Sequence, residues 1–245
     1  MEFWTLGTGS GMPSANLNCS SILVKTDEHC FLLDAGEGVS KSLISWGIHP
    51  DELDAVLITH LHPDHVSGIF MLIQMLYLAK RKKPLTLYLP EREDEFEGIF
   101  QMFYTFFEKL GFKLNLFPLA DVNKAYETLT CHENDHLISY SDIIRRYSLP
   151  NRQKAYSLRI QSHNGDFVYS SDLSTVDSIA DFCAAAHTIL LDAGHPQTQQ
   201  IQKLKDLGIQ RILLTHESSE ETRKWLAENP DPRFAEAIQG AKYNI

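Results

Sequence analysis

One short run constrains this chain more than any other: Thr59-His60-Leu61-His62-Pro63-Asp64-His65, followed by Gly68. Three imidazoles and one carboxylate fall within six residues. Imidazole nitrogen and carboxylate oxygen are the ligands that divalent zinc, iron or manganese accept near neutral pH. The stretch before it, residues 53–58, is short, apolar and contains the β-branched Val56 and Ile58. It reads as a buried strand. The cluster therefore sits where a strand ends and a loop begins, the place where α/β proteins gather their ligands. His60 and His62 are two apart, so an extended segment points both to the same side. Asp64 and His65 follow in a turn at Pro63 and can face a second ion. A single histidine is ordinarily a solvated surface residue, and some of the eleven histidines here will be. The spacing is what lifts this group above that background.

Around the run, strand and helix patterns alternate. Expected strands cover residues 3–6, 20–26, 30–34, 53–58, 85–89 and 113–117. Expected helices run from about 39 to 46, from 66 to 79 and from 94 to 110. In the second half, strands are expected at 127–131, 155–161, 166–171, 188–192 and 209–215, with a hairpin turn at His163-Asn164-Gly165. Helices are expected at 176–185, at 197–207, from Glu220 and near Phe234. Two strand-rich halves with helices outside imply an α/β chain built as a four-layer αβ/βα sandwich. No linker or short-period repeat interrupts residues 1–245, so one domain is expected. The polar segment 136–154, which contains Tyr140, Tyr147 and Pro150, is the candidate for an inserted lid.

Bulk properties narrow the function classes. The hydrophobic content of 43% is ordinary for a globular chain with a large core. The net charge of −10 argues against tight nonspecific nucleic-acid binding, which needs Lys and Arg on phosphates. The basic run Lys80-Arg81-Lys82-Lys83 reads as a helix C-terminus, and the acidic run from Glu91 to Glu95 as the first turn of the next helix. Cys19, Cys30, Cys131 and Cys183 form no CxxC pair and are expected reduced. The opening residues lack the basic and apolar runs of a secretory leader, and no apolar stretch is long enough to span a bilayer. A cytoplasmic chain with no membrane partner is expected.

Three stretches make the chain resemble a metallo-β-lactamase-fold hydrolase of the ribonuclease Z and phosphodiesterase-like branch. They are Leu6-Gly7-Thr8-Gly9-Ser10-Gly11-Met12-Pro13 with Asn18-Cys19-Ser20-Ser21, then Leu33-Asp34-Ala35-Gly36-Glu37-Gly38, and then Gly47-Ile48-His49-Pro50 through Gly68. The resemblance implies three further ligands at later strand ends. Asp172, in Tyr169-Ser170-Ser171-Asp172-Leu173, matches the carboxylate shared by two metals. His216, in Leu213-Leu214-Thr215-His216, matches the final histidine. For the remaining one, the family pattern of a polar turn before His-Leu favours His136, with His132 as the alternative. On this reading His60, His62 and His136 hold one ion and Asp64, His65 and His216 the other. Two divalent ions are implied, zinc first, with manganese or iron accepting the same set.

The implied chemistry is hydrolysis by a metal-activated water, with the ions also stabilising transition-state charge. Asp64 belongs to the catalytic set, and Asp34 is the candidate to orient a histidine. In Leu191-Asp192-Ala193-Gly194-His195 the resemblance departs: Asp stands for the usual Glu, and the histidine spacing differs. His195 is the candidate general acid for the leaving oxygen, although a capping or surface role before Pro196 fits the sequence as well. The long basic arm with which ribonuclease Z enzymes grip tRNA is lacking between residues 84 and 119. Small or cyclic phosphodiesters are therefore the expected substrates, with RNA 3′ ends as the related option and a homodimer as a family habit. Lactone, thioester or β-lactam hydrolysis could run on the same metals, and a non-catalytic metal sensor is the reading of a different class. Fold alone does not separate these readings.

Overall fold

The computed structural model describes residues 1–245, which divide into two compact units. Met1–Val122 and Gln239–Asn244 form the first. Its seven-stranded sheet contains β1 (Glu2–Gly7), β2 (Ser21–Lys25), β3 (Cys30–Leu33), β4 (Ala55–Leu57), β5 (Leu85–Leu89) and β6 (Leu114–Pro118) in that spatial order. The C-terminal strand Lys242–Asn244, which the sequence pattern does not announce, closes the edge beside β1. From β1 to β3 the sheet is an antiparallel meander; from β3 to β6 it is parallel.

Register explains the core of this unit. Trp4, Leu23, Leu32, Val56 and Leu87 are successive cross-strand partners, so one apolar row crosses the sheet. The helix Ile69–Leu78 covers it with Ile69, Leu72, Ile73 and Leu76, the i, i+3, i+4, i+7 face of an amphipathic helix. Burying each such side chain contributes about 1.5–3 kcal/mol.

Several helix expectations change. The helix expected at 66–79 is two pieces, Pro63–Val66 and Ile69–Leu78. Between them lies Gly68, where a Cβ would stand 2.2 Å from the Gly36 carbonyl oxygen, so no larger residue fits. The helix expected to reach 110 spans Glu93–Met102, and the left-handed Tyr104 (φ 57°) prevents its continuation. Arg81 does not sit in solvent at a helix end. It is buried, and its guanidinium donates to the carbonyls of Leu53 and Pro84, both at 2.6 Å, and to that of Pro50.

Asn123–Ile238 make up nearly all of the second unit. Its six strands are β7 (Leu129–Glu133), β8 (Tyr156–Ile160), β9 (Phe167–Tyr169), β10 (Thr188–Asp192), β11 (Arg211–Thr215) and β12 (Phe234–Glu236), again in consecutive spatial order. Here too an antiparallel meander, β7 to β9, passes into parallel strands, β9 to β12. The expected helix near Phe234 is instead the edge strand β12, parallel to β11. Pro230 and Pro232 remove backbone donors where that helix would start, and an edge strand tolerates them. The helices expected at 176–185 and 197–207 are each half 3₁₀, Val176–Ile179 before Ala180–Cys183 and Lys203–Asp206 after Thr198–Gln202. Glu220–Glu228 is capped by Ser219, whose hydroxyl accepts from the Thr222 N–H at 3.1 Å. Residues 136–154 hold a 3₁₀ turn, His136–Tyr140, and the helix Ser141–Tyr147, which ends at left-handed Ser148 (φ 50°). No helix of the chain is long and apolar enough to cross a membrane.

Candidate metal centre

In the first unit the ligand-bearing loop leaves β4 at Ile58 and carries His60, His62, Asp64 and His65. His60 and His65 are buried completely, and their ring centroids lie 4.1 Å apart; His62 stacks edge-on to His60 at 4.7 Å. Asp64 Oδ2 stands 3.5 Å from His65 Nε2. Asp34, at the end of β3, orders the group. It adopts a left-handed backbone (φ 58°) and is buried. Its carboxylate accepts from the Thr59 N–H at 2.8 Å, from the Thr59 hydroxyl at 2.9 Å, and from His65 Nδ1 at 2.7 Å.

That network assigns the tautomers. With Nδ1–H held by Asp34, His65 presents Nε2 as its ligand atom. Thr59 gives its only hydroxyl proton to Asp34, so it accepts from His60 Nδ1 at 3.2 Å, and His60 likewise presents Nε2. One carboxylate thus orients two histidines, one directly and one through Thr59. The main chain is tied as tightly: the Ala35 N–H donates to the His65 carbonyl and the Gly68 N–H to that of Ala35, both at 2.8 Å. Gly36 makes this approach possible, since a Cβ there would lie 2.1 Å from the Asp64 carbonyl oxygen. Burial and the neighbouring Asp64 push the Cys19 thiol up.

In the second unit the candidates come from four separate strand ends. His136 follows β7, Asp172 follows β9, Asp192 ends β10 with His195 just beyond it, and His216 follows β11. Asp172 lies at the middle of the group. Its Oδ2 is 3.5 Å from His216 Nε2, 3.7 Å from His136 Nε2 and 3.7 Å from His195 Nδ1. These separations exceed the roughly 2.7–2.9 Å of a charge-assisted hydrogen bond. The two Nε2 separations suit a common ion instead, because ligand atoms about 2.1 Å from a tetrahedral metal stand about 3.4 Å apart. The buried Asp172 carboxylate, with the Nε2 atoms of the buried His136 and His216 beside it, is a donor set that fits a divalent ion.

Asp192 plays the orienting part in this unit. Its carboxylate accepts from His195 Nδ1 at 2.9 Å and from the Leu173, Gly194 and His195 N–H groups, and lies 3.6 Å from His216 Nδ1. Burial alone would push this carboxyl up; the hydrogen bond from His195 and the neighbouring His216 imidazole outweigh it and hold the group below the usual carboxylate range. The same hydrogen bond raises His195 above the ordinary imidazole value, against the opposing effect of burial. His195 keeps 41% of its side chain exposed, where a substrate atom can reach it.

Between the two histidines that the sequence left open, His136 is the one beside Asp172. His132 points elsewhere: its Nε2 lies 3.1 Å from the Ser178 carbonyl oxygen, and its ring stacks on Phe182 at 5.1 Å. Sequence reasoning gave no role to Asn134 and Asp135. The Asn134 amide donates to the carbonyls of Ser170 and Asp172 and to the Ser157 hydroxyl, while its oxygen accepts from the His136 N–H. Asp135 accepts from the Ser174 and Thr175 N–H groups. The polar dipeptide after β7 was visible in the sequence; the partners it fastens, some forty residues on, were not. Strain gathers here as well, for Ser171 (φ 53°), His216 (φ 64°) and Glu217 (φ 57°) are all left-handed.

Comparison with known proteins agrees with this arrangement. A family model described as "Anti-Pycsar protein Apyc1" matches residues 1–216. Ribonuclease Z of Methanococcus aeolicus is 29% identical over 171 residues, 66% of this chain and 52% of that protein. The match thus spans about half the length of that relative. Human tRNase Z, short form, superposes with a TM-score of 0.73 at 20% identity, over 100% of this chain and 99% of its own. A metallo-β-lactamase fold protein of Bacillus subtilis, YhfI, does so with a TM-score of 0.71 at 20% identity, over 99% and 98%. The chain has the metallo-β-lactamase fold, and the α/β class expected from its sequence is borne out.

Proposed function

The chain belongs to the family described as anti-Pycsar protein Apyc1, and on that premise we propose that it is a two-metal phosphodiesterase acting on small or cyclic phosphodiesters. The observation that carries this reading is Asp172: a buried carboxylate with two imidazole nitrogens, His216 Nε2 and His136 Nε2, 3.5 and 3.7 Å away, a spacing that suits ligation better than hydrogen bonding. His60, His62, Asp64 and His65 from one unit, and His136, Asp172 and His216 from the other, are the proposed ligands, with Asp172 shared by two ions. Zinc is the proposed metal, from the nitrogen-rich donor set.

When bound, the ions supply a water nucleophile at neutral pH and a clamp on the phosphoryl oxygens. The protein's own residues do the rest. Asp34 and Thr59 keep His65 and His60 in the tautomers that present Nε2. Asp192 keeps His195 protonated and aimed, so that His195 donates a proton to the leaving oxygen. Residues 136–154 are proposed as a lid over the substrate, with its root at the ligand His136. The net charge of −10 favours a small substrate over a long RNA.

The experiment is hydrolysis of bis(p-nitrophenyl) phosphate by zinc- or manganese-loaded protein, beside Asp64→Ala. Metal-dependent turnover lost in the variant is expected, and cyclic nucleotides and RNA 3′ ends then rank the substrates. Absence of turnover with both metals bound would sink the phosphodiesterase reading in favour of lactone or thioester hydrolysis or of a metal-sensing role.

A further inference from the structure

Within the first unit, the glycine-rich loop of residues 10–18 passes beside Asp64. A Cβ on Gly11 would lie 3.5 Å from Asp64 Oδ2 and 3.7 Å from Oδ1, so the loop backbone flanks the carboxylate. The ends of the loop are closed where Gly9 bridges Cys19 and its N–H donates to the Asn18 carbonyl at 2.8 Å. The tip, residues 11–16, is exposed. Exposed backbone of this kind costs conformational entropy to hold still. One fastening is the Asn18 side chain, whose amide donates to the Leu6 carbonyl at 3.2 Å and to the Ser42 hydroxyl at 2.8 Å. The other is Gln239. Its Oε1 accepts from the Asn18 N–H at 2.6 Å, and its Nε2 donates to the Asn16 carbonyl at 3.2 Å. These are the two backbone groups a neighbouring β-strand would pair with, and one primary amide stands in for that strand. Gln239 is itself tied to β1. The Gly240 N–H donates to the Thr5 carbonyl at 2.7 Å, and the Thr5 N–H to the Ala241 carbonyl at 3.2 Å. It also lies outside the residues 1–216 that the family model matches.

We propose that Gln239 is a positioning residue of the metal centre: its amide clasps the loop 10–18 against Asp64 and so sets the affinity of the centre for its ion. This role rests on the reading of Asp64 as a metal ligand. With both bonds in place the loop is ordered before the ion arrives, and Gly11 confines the carboxylate. Without them the base of the loop stays anchored through Asn18, while residues 10–17 sample open conformations and Asp64 loses its flanking backbone. The ion then draws on the closed fraction alone, and its apparent affinity falls by that fraction. Two net hydrogen bonds shift such an equilibrium enough to weaken binding by about 5–30-fold. Saturating ion closes the loop again, so the loss falls on affinity and not on the rate of the loaded protein.

Gln239→Met tests it, since methionine has nearly the same shape and makes neither bond. Zinc or manganese titration of the full chain against a chromophoric chelator is expected to show the 5–30-fold loss, estimated as above. Hydrogen exchange is expected to quicken at the amides of residues 11–18 and to stay unchanged in β2 and β3. Turnover of bis(p-nitrophenyl) phosphate at saturating ion is expected to stay near the wild-type rate. Lys242→Met is the control. It breaks the exposed ion pair with Glu2, 2.6 Å long, on the same segment, and is expected to keep the wild-type metal affinity. Wild-type affinity in Gln239→Met, unchanged exchange of the loop, or an equal loss in Lys242→Met overturns the proposal. A wild type that binds no ion removes the metal-centre reading and this role together, whereas a wild type that binds and a Gln239→Met that binds equally well removes this role alone. Should Gln239→Met not fold, Gln239→Asn, one methylene too short to reach both backbone groups, decides by the same readings.

Discussion

Each unit brings its histidines to order with one buried carboxylate, and the two carboxylates work under different conditions. Asp34 faces Thr59 and His65, all three fully buried, and these carboxylate bonds run to residues of one short loop. Asp192 faces His195 and His216, which come from two strand ends, and one of the two rings is partly open to solvent. The first arrangement can only hold. The second holds one histidine and leaves the other able to exchange a proton. The backbone tells the same story: one left-handed residue, Asp34, serves the first group, whereas Ser171, His216 and Glu217 are all left-handed in the second. At about 1–3 kcal/mol for each such residue, the second unit stores more strain near the proposed chemistry.

The comparison breaks most sharply at His195. Replacing it with Ala is expected to lower turnover by about 10²–10⁴ on an ester with a poor alkoxide leaving group, with metal content unchanged. With p-nitrophenyl esters the loss shrinks, because that leaving group needs no proton. Equal losses on both substrates would mean that His195 does not protonate the leaving oxygen. Asp192→Asn sharpens the point through pH. The carboxylate raises His195, so the acid form survives to higher pH in the wild type. Without the carboxylate, the alkaline limb of the turnover profile moves to lower pH. An unmoved limb would separate the titration from this pair.

The first unit gives the opposite signature. Asp34→Asn is expected to weaken metal binding by about 10–100-fold, as loss of an outer-shell carboxylate does. Turnover at saturating metal is expected to change much less, and a metal titration read beside saturated activity checks both. A variant that kept its metal affinity but lost turnover would give Asp34 the role assigned here to Asp192.

This contrast also explains what the sequence revealed. His60, His62, Asp64 and His65 were legible because six consecutive residues carry them and a β-strand precedes them. Asp172 and His216 were legible only through resemblance, since taken alone they read as a helix cap and a loop histidine. The strands were visible in their apolar runs, with β5 and β10 at the bounds expected. The sequence pattern near Phe234 suggests a helix, whereas Phe234 lies in a strand held by its pairing with β11. Asn134 was illegible for a similar reason: its partners at Ser157, Ser170 and Asp172 lie on other segments. Asn134→Ala is expected to cost about 1–3 kcal/mol of stability, because it strands buried carbonyls. Thermal unfolding reads that loss, and a variant as stable as the wild type would show that the network is dispensable.

The smallest effect isolates the relay through Thr59. Its hydroxyl donates to Asp34 and accepts from His60, so Thr59→Val removes both bonds while keeping the shape. A net hydrogen bond of this kind is worth about 1 kcal/mol, which is roughly a fivefold loss of metal affinity if it is what orients His60. Thr59→Ser keeps the hydroxyl and loses only a methyl group, so it should restore the affinity. A merely structural role would reverse the order: valine, filling the same volume, would be neutral, and serine, leaving a small void, would be the weaker variant. Metal titration of the pair therefore distinguishes a relay, in which Asp34 governs both His60 and His65, from a single bond in which it governs His65 alone.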